Sequence, residues 1–430
     1  MKILKWTDRP FLFFFPFLLL FIAIIILFPT SGISGDEKNY LGYANNLLNG
    51  YYSPPPPGID LQNSPGYPLI VLPFVALNTP LFFIAFLNAI LFYFSIVFLF
   101  KSLIRISSNK VALLFTLFWA FYYNLYVYIP YVLPEILTVF LVSVLCISII
   151  NCFEIKTFKQ SIKYIILSGI IIGYLALTKP IFGYVIITLI VCFLILLVTN
   201  VRSINYRKSI FILMISLITT APYLLYTFNL TGKLFYWSSI GGNNLYWMST
   251  PHEGESGSWI NYPMLEVDNI NRIKGSHATI EELHKDDFDK ILKFEGVEQD
   301  NAFKKIAINN IKSHPLKFTK NVFSNISRIL FNFPYSYEPQ RARTLIRLPH
   351  SGIILVLGLF CIIPTILNWR KIAFSIRFLL FFSLIYLGGS AFGSAEIRMF
   401  SMTVPILLVW LAYISSRSIK LDLRWNKSSF

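Results

Sequence analysis

Apolar residues in this chain come in blocks of about 20 separated by short polar or basic stretches, the length one helix needs to cross the hydrocarbon core of a bilayer. Such blocks lie near 11–28, 80–100, 111–129, 131–150, 164–178, 181–199, 210–227, 351–368, 378–393 and 399–415, which predicts about ten transmembrane helices. The first, Phe11 to Phe28, is long enough to span and precedes no small-residue cleavage site, so it reads as a helix rather than a removable signal. Pro130 and Pro180 mark the shortest connections, each either a turn or a kink.

Two segments break the apolar rhythm. Between the first two spans, residues 29–68 form a loop that opens with Asp36-Glu37, and Tyr40, Ala44, Leu47 and Leu48 follow at i, i+4, i+7 and i+8 of an apolar face. A short amphipathic helix lying along the membrane is expected there. The tetraproline Pro54 to Pro57 predicts a stiff polyproline II piece. The second segment, 229–350, is mostly polar and charged; apolar positions at helical spacing from Ile280 to Ile311 predict a small α-helical subdomain. The chain thus divides into an N-terminal membrane module (1–228), an intervening subdomain (229–350) and a C-terminal membrane module with a tail (351–430). Its fold class is an all-α integral membrane protein. No repeat of fixed period is visible, which argues against transporter folds built from duplicated halves.

Composition sharpens the membrane reading: 55% of the 430 residues are hydrophobic and 13% charged, and the mean hydropathy is +0.62. The net charge of +16 is read as orientation in the membrane rather than affinity for nucleic acid. Lys and Arg cluster in alternate loops (Lys2, Lys5 and Arg9; Lys101, Arg105 and Lys110; Lys156, Lys159 and Lys163; Arg202, Arg207 and Lys208; Arg370, Lys371 and Arg377; the tail from Arg417). Cytoplasmic loops carry that bias, which puts 29–68, 229–350 and the turn at Ala395-Glu396 on the extracytoplasmic face. Four cysteines sit in or beside apolar spans, and five histidines (His252, His277, His284, His314, His350) show no metal spacing, so no metal or cofactor is expected.

Five ionisable residues stand where charge is costly or informative. Asp36 and Glu37 head the first-loop helix, as an acidic cap or as reactive carboxylates. Glu135 lies near the outer end of an apolar span, a functional position or a packing acid bonded to a tyrosine such as Tyr128. Lys179 and Arg398 sit at outer span ends, where they either snorkel or meet an anion.

Taken in order, Asp36-Glu37 with Tyr40, Ala44, Leu47 and Gly50; Pro65-Gly66-Tyr67-Pro68; Leu133-Pro134-Glu135-Ile136-Leu137; Leu177-Thr178-Lys179-Pro180; Gly241-Gly242-Asn243-Asn244-Leu245-Tyr246; and Ala395-Glu396-Ile397-Arg398-Met399-Phe400 resemble motifs of the GT-C glycosyltransferases. That superfamily includes the protein O-mannosyltransferases and the aminoarabinose transferases of lipid A. The resemblance runs from about residue 30 to 410. It implies inverting transfer of a sugar from a polyprenyl-phosphate donor to an acceptor hydroxyl, on a lipid, glycan or protein, with Asp36 as general base and Glu37 beside it. Lys179 and Arg398 would meet the donor phosphate, and Glu135, Tyr40, Tyr67, Asn243, Asn244, Tyr246 and Glu396 would line the cavity. Met399 stands where an aromatic is usual. The lysine that some members carry in the proline-rich segment is absent around Ser64, so its phosphate contact does not carry over.

Two other classes fit the outline. An O-antigen polymerase or ligase also combines about ten spans with an Arg-rich outer loop, here Arg328, Arg341, Arg343 and Arg347. A transporter or flippase of lipid-linked sugars would use Glu135 as its coupling residue. The richness in Ile, Phe, Asn and Lys suggests an AT-rich bacterial genome, hence the inner membrane.

Overall fold

The computed structural model describes residues 8–29, 32–33, 35–199, 203–260, 279–337 and 342–418. The described residues form seventeen α-helices: α1 (Pro10–Leu27), α2 (Asp36–Leu48), α3 (Gly66–Ala76), α4 (Phe82–Ile106), α5 (Asn109–Ala120), α6 (Tyr123–Tyr126), α7 (Glu135–Glu154), α8 (Phe158–Thr178), α9 (Ile181–Thr199), α10 (Ile204–Thr231), α11 (Gly241–Met248), α12 (Ile280–Ile291), α13 (Gly296–Ser313), α14 (Pro315–Phe331), α15 (Ala342–Leu367), α16 (Phe374–Ala391) and α17 (Ile397–Ser418). Among the described residues nine are long and apolar enough to cross a membrane: α1, α4, α7, α8, α9, α10, α15, α16 and α17. This is a multi-pass α-helical membrane protein.

The third expected span, 111–129, is the exception. α5 has 12 residues, and α6 only four. At about 1.5 Å per residue, α5 reaches only about 18 Å, short of the hydrocarbon core. Broken backbone at that depth needs partners from the protein, and side chains supply them. The Ala120 carbonyl accepts from Tyr126 Oη, and the Phe121 carbonyl pairs with His350 Nε2 at 3.1 Å. Asn88 Nδ2 donates to the carbonyls of Ile129 at 3.1 Å and Tyr131 at 2.9 Å. Tyr122 fills the break as a buried ring 5.4 Å from that of Trp119.

α17 is the central strut, with 83% of its most apolar window buried, against 22% for α1. It packs against α7, α16, α15, α4 and α14. Small residues let other helices approach: a Cβ on Gly169 or Gly173 of α8 would fall 2.6 Å from Ile215 or Thr219 of α10. The helix ends at one face are tied by basic residues. Arg105 pairs with Glu154 at 2.8 Å, Lys208 Nζ donates to the carbonyl of Cys152 at 2.9 Å, and Arg417 Nη1 donates to that of Ile106 at 2.9 Å. The first loop and the α11–α14 subdomain cover the opposite face.

The subdomain has its own core of Tyr246, Trp247, Ile280, Phe288, Ile291, Phe303, Ala307 and Tyr337. α12 starts with a capping box, Thr279 accepting from the Glu282 amide while the Glu282 side chain accepts from that of Thr279. α15 already begins at Ala342, ahead of the expected boundary at 351. The tetraproline is not a straight polyproline II rod: it holds a cis Pro56-Pro57 bond and closes as a loop, with Asp60 N–H donating to Ser53 Oγ at 2.9 Å.

Candidate functional site

Gly35, at φ +52°, reverses the chain between α1 and α2 in a conformation that strains any side chain. α2 then starts directly with Asp36, and neither acid caps it. Glu37, buried, accepts the Val132 N–H at 2.9 Å and so ties α2 to the connection before α7. The expected acidic cap is thereby corrected: the two carboxylates reach away from their own helix to other parts of the chain.

Asp36 Oδ2 accepts from Arg398 Nη1 at 2.9 Å. Arg398 stands in the first turn of α17, a poor place for a cation beside a helix N-terminus, and three carboxylates offset it: Asp36, Glu135 at 3.5 Å and Glu396 at 3.3 Å. Glu135 opens α7, where the helix dipole favours an anion. It is fully buried, and its Oε1 also accepts from Lys179 Nζ at 2.9 Å. Two cations therefore partner Glu135 through Oε1, in place of the Tyr128 phenol considered from the sequence, while its buried Oε2 has no hydrogen-bond partner among the described residues. Lys179 follows α8, its N–H bonded to the Leu175 carbonyl at 2.8 Å, so its charge faces the helix's negative end.

Asp36, Lys179, Glu396 and Arg398 of this cluster border one cavity of about 250 Å³, and Glu135 lies buried outside its lining. Asp36, Tyr40, Lys179, Asn244, Glu396 and Arg398 line it, joined by Gln62, Asn63, Trp259 and Ser390 at polar positions and by Ile181, Met399 and Met402. Two cations face three carboxylates, so the site is anionic by one charge when all are ionised. The side chain of Asp36 is 44% exposed. Burial acts to raise its pKa, but the charge and hydrogen bond of Arg398 and the charge of Lys179 outweigh it, and the carboxyl lies below its ordinary value.

Four expected lining residues stand elsewhere. Glu135 is fully buried behind the lining, where it holds Lys179 and Arg398. Tyr67 is buried behind Tyr40, ring centroids 5.2 Å apart. Asn243 presents its backbone N–H to Asp300 Oδ1 at 3.4 Å, next to the 2.6 Å bond from Gly242 N–H. Tyr246 lies in the subdomain core, its Oη 2.6 Å from His284 Nδ1 and donating to Asp287 at 3.2 Å. For Asn243 and Tyr246 the physical reason is shared. α11 is only eight residues long and must fill the subdomain core with Tyr246 and Trp247, so just one of its asparagines turns to the cavity.

His284 continues through Nε2 to Glu255 at 2.7 Å. Burial pushes the Glu255 carboxyl up, while His284, Thr250 and Tyr337 pull it below its usual range. This network closes on itself inside the subdomain. Among the described residues, no group of three or more His, Cys, Asp or Glu is placed to hold a metal ion. His277 and Arg341 lie outside the described residues.

Two residues build the site from behind: Asn325, which sequence reasoning missed, and Arg328, which it named only as part of an Arg-rich loop. Asn325 Nδ2 donates to the carbonyls of Ser390 at 3.0 Å, Ala391 at 2.9 Å and Gly393 at 2.5 Å, and its Oδ1 accepts the Ala395 N–H at 3.0 Å. Arg328, fully buried, donates to Ala395 O at 3.1 Å, Pro334 O at 2.7 Å, Gly257 O at 3.0 Å and Asn325 Oδ1 at 2.9 Å. Burial among carbonyls pulls its guanidinium down to about 10. Together they shape the turn that delivers Glu396 and Arg398, and they place Gly257 two residues before Trp259. The available signal was Lys317, Asn321, Asn325 and Arg328, a polar stripe on a helix whose other face is apolar.

Comparisons with family models, curated proteins and solved structures return no match.

Proposed function

We propose that this protein is a membrane glycosyltransferase that moves a sugar from a polyprenyl-phosphate donor to an acceptor hydroxyl, inverting the anomeric carbon, with Asp36 as general base. The observation that carries the reading is that Asp36, Lys179 and Arg398 line one cavity while buried Glu135 holds the two cations from behind it, the four being drawn from four of the motifs that resemble GT-C enzymes. Basic residues gather at the opposite helix ends, which supports an extracytoplasmic site by the positive-inside rule. A bacterial inner membrane is the proposed location.

The geometry suits the chemistry in a particular order. With Arg398 bound to it, Asp36 is ionised but a weak base. A donor phosphate entering beside Lys179 and Arg398 competes for the guanidinium, since charge-assisted Arg–phosphate bonds are strong. Loss of that partner raises the Asp36 pKa toward a useful value. The base is thus switched on by donor arrival: Asp36 takes the acceptor hydroxyl's proton as that oxygen bonds to the anomeric carbon, and the bond from this carbon to the phosphate oxygen breaks, leaving polyprenyl phosphate against the two cations.

The test is sugar transfer from a panel of polyprenyl-phosphate sugars by membranes containing wild-type protein or Asp36→Asn at equal expression. Transfer by the wild type and its loss in the variant, by about 10²–10⁴-fold, supports the reading. Full activity in the variant removes Asp36 as base. Absence of transfer by the wild type from every donor favours a polymerase, ligase or transporter.

A further inference from the structure

α14 is amphipathic with its sides reversed. Lys317, Asn321, Asn325 and Arg328 form its buried stripe, whereas Leu316, Phe323 and Ile326 on the opposite side are 79%, 68% and 37% exposed. An aqueous helix would not place large apolar side chains outward and polar ones inward. Its depth is fixed by the partners of its polar face: Asn325 grips the last turn of α16 at Ser390 and Ala391, and Arg328 the residue before Glu396, at the end of two membrane-crossing helices. It also packs against α15, whose most apolar stretch within Leu345–Leu367 is only 28% buried and therefore meets lipid.

We infer that α14 is an interfacial helix whose Leu316–Phe323–Ile326 face is seated in the boundary between headgroups and acyl chains at the cavity end of the bilayer. Seventeen residues make a rod of about 25 Å, and such faces sink about 5–10 Å below the headgroups. Lys320, next to this face, keeps 71% of its side chain exposed and lies 3.8 Å from Glu253, a solvated surface pair as the headgroup side of such a helix allows. The subdomain is therefore moored to the membrane, and the helix that moors it also holds the turn carrying Arg398. The inference stands apart from the proposed reaction, because its test reads no activity.

Phe323→Cys and, as a water-exposed reference, Lys305→Cys are labelled with an environment-sensitive NBD dye in the full-length protein in nanodiscs, with unsubstituted protein as the blank for its own cysteines. The expected result is blue-shifted emission at 323, with several-fold quenching by shallow nitroxide lipids and little by iodide, and the reverse at 305. Ile326→Cys serves if Phe323→Cys does not fold. Iodide quenching at both 323 and 326 equal to that at 305 would overturn the inference. So would protection that disappears when the nanodiscs hold a single protein molecule, since a second copy would then be the cover.

Discussion

Asp36 and Arg398 are separated by 362 positions in the chain and meet at 2.9 Å, which joins the first loop to the last membrane helix. The pair makes the site acid-sensitive in a definite direction. The folded-state pKa of Asp36 is depressed, so the stability contributed by the contact is present above the unfolded value of about 3.9 and is lost as pH falls through the folded value. Because the carboxylate is 44% exposed, the contribution is discounted for solvent screening to about 0–1 kcal/mol. Thermal unfolding in detergent between neutral pH and pH 3 should show a small acid-dependent decrement that Arg398→Gln abolishes. An unchanged decrement in that variant would assign it to other carboxylates.

Glu135 presents the stronger case, because it is fully buried and serves two cations. Breaking a buried pair typically costs about 3–5 kcal/mol. Lys179 and Arg398 keep 17% and 23% of their side chains exposed, so part of the orphaned charge can reach water. Glu135→Gln is therefore expected to cost about 2 kcal/mol. Lys179→Met alone should cost less, since Arg398 still faces the carboxylate, and the two changes together should cost less than their sum. Strict additivity in a double-mutant cycle would mean that the Glu135–Lys179 contact is not energetically coupled.

The two glycines of the Gly241-Gly242 pair should respond oppositely to alanine. A Cβ on Gly241 meets open space, whereas one on Gly242 would fall 1.9 Å from the Asp300 carbonyl oxygen. Asp300 Oδ1 also accepts the Gly242 N–H at the start of α11, so the clash would pull the carboxylate off that helix end. Burial raises the Asp300 pKa, and its bonds to Gly242 and Asn243 counter this only in part. Gly242→Ala should destabilise the subdomain by about 1–3 kcal/mol, and Gly241→Ala should be close to neutral. Hydrogen exchange at the amides of α11 and α13 would resolve the two; equal protection in both variants would refute the close approach.

The spans, the first-loop helix and the α12–α13 subdomain were legible because each follows a local period, and one face of each meets a single environment. The four charged residues at the cavity were legible for a related reason: charge at a span end stands out against an apolar background. What the sequence concealed depends on long-range satisfaction of backbone groups. The helix break at Phe121 and Tyr122 reads as continuous apolar sequence, and it forms because Tyr126, His350 and Asn88 accommodate its carbonyls. Tyr246 misled for the opposite reason. It belongs to a motif whose neighbour Asn244 does line the cavity, but the helix carrying both must also bury an aromatic ring. Leu48 was counted in the apolar face of α2 and is 45% exposed, because that face ends where the helix does.

Arg328 tests whether the rear support matters to the site. Among the described residues no carboxylate forms an ion pair with it; its charge is spread over backbone carbonyls, including that of Ala395 immediately before Glu396. A lysine keeps the charge but lacks the planar fork, and so it cannot hold Ala395, Pro334 and Gly257 at once. Hydrogen bonds to charged groups contribute about 1.5–3 kcal/mol each, so Arg328→Lys should lower stability by at least that range's lower end. The more specific expectation concerns Arg398. Released from its support, the turn at 393–395 should let Arg398 move away from Asp36, and the acid decrement assigned to that pair should shrink even though both of its members are intact. If Arg328→Lys lowers the melting temperature but leaves the pH dependence of unfolding as in the wild type, Arg328 supports the fold without positioning Arg398.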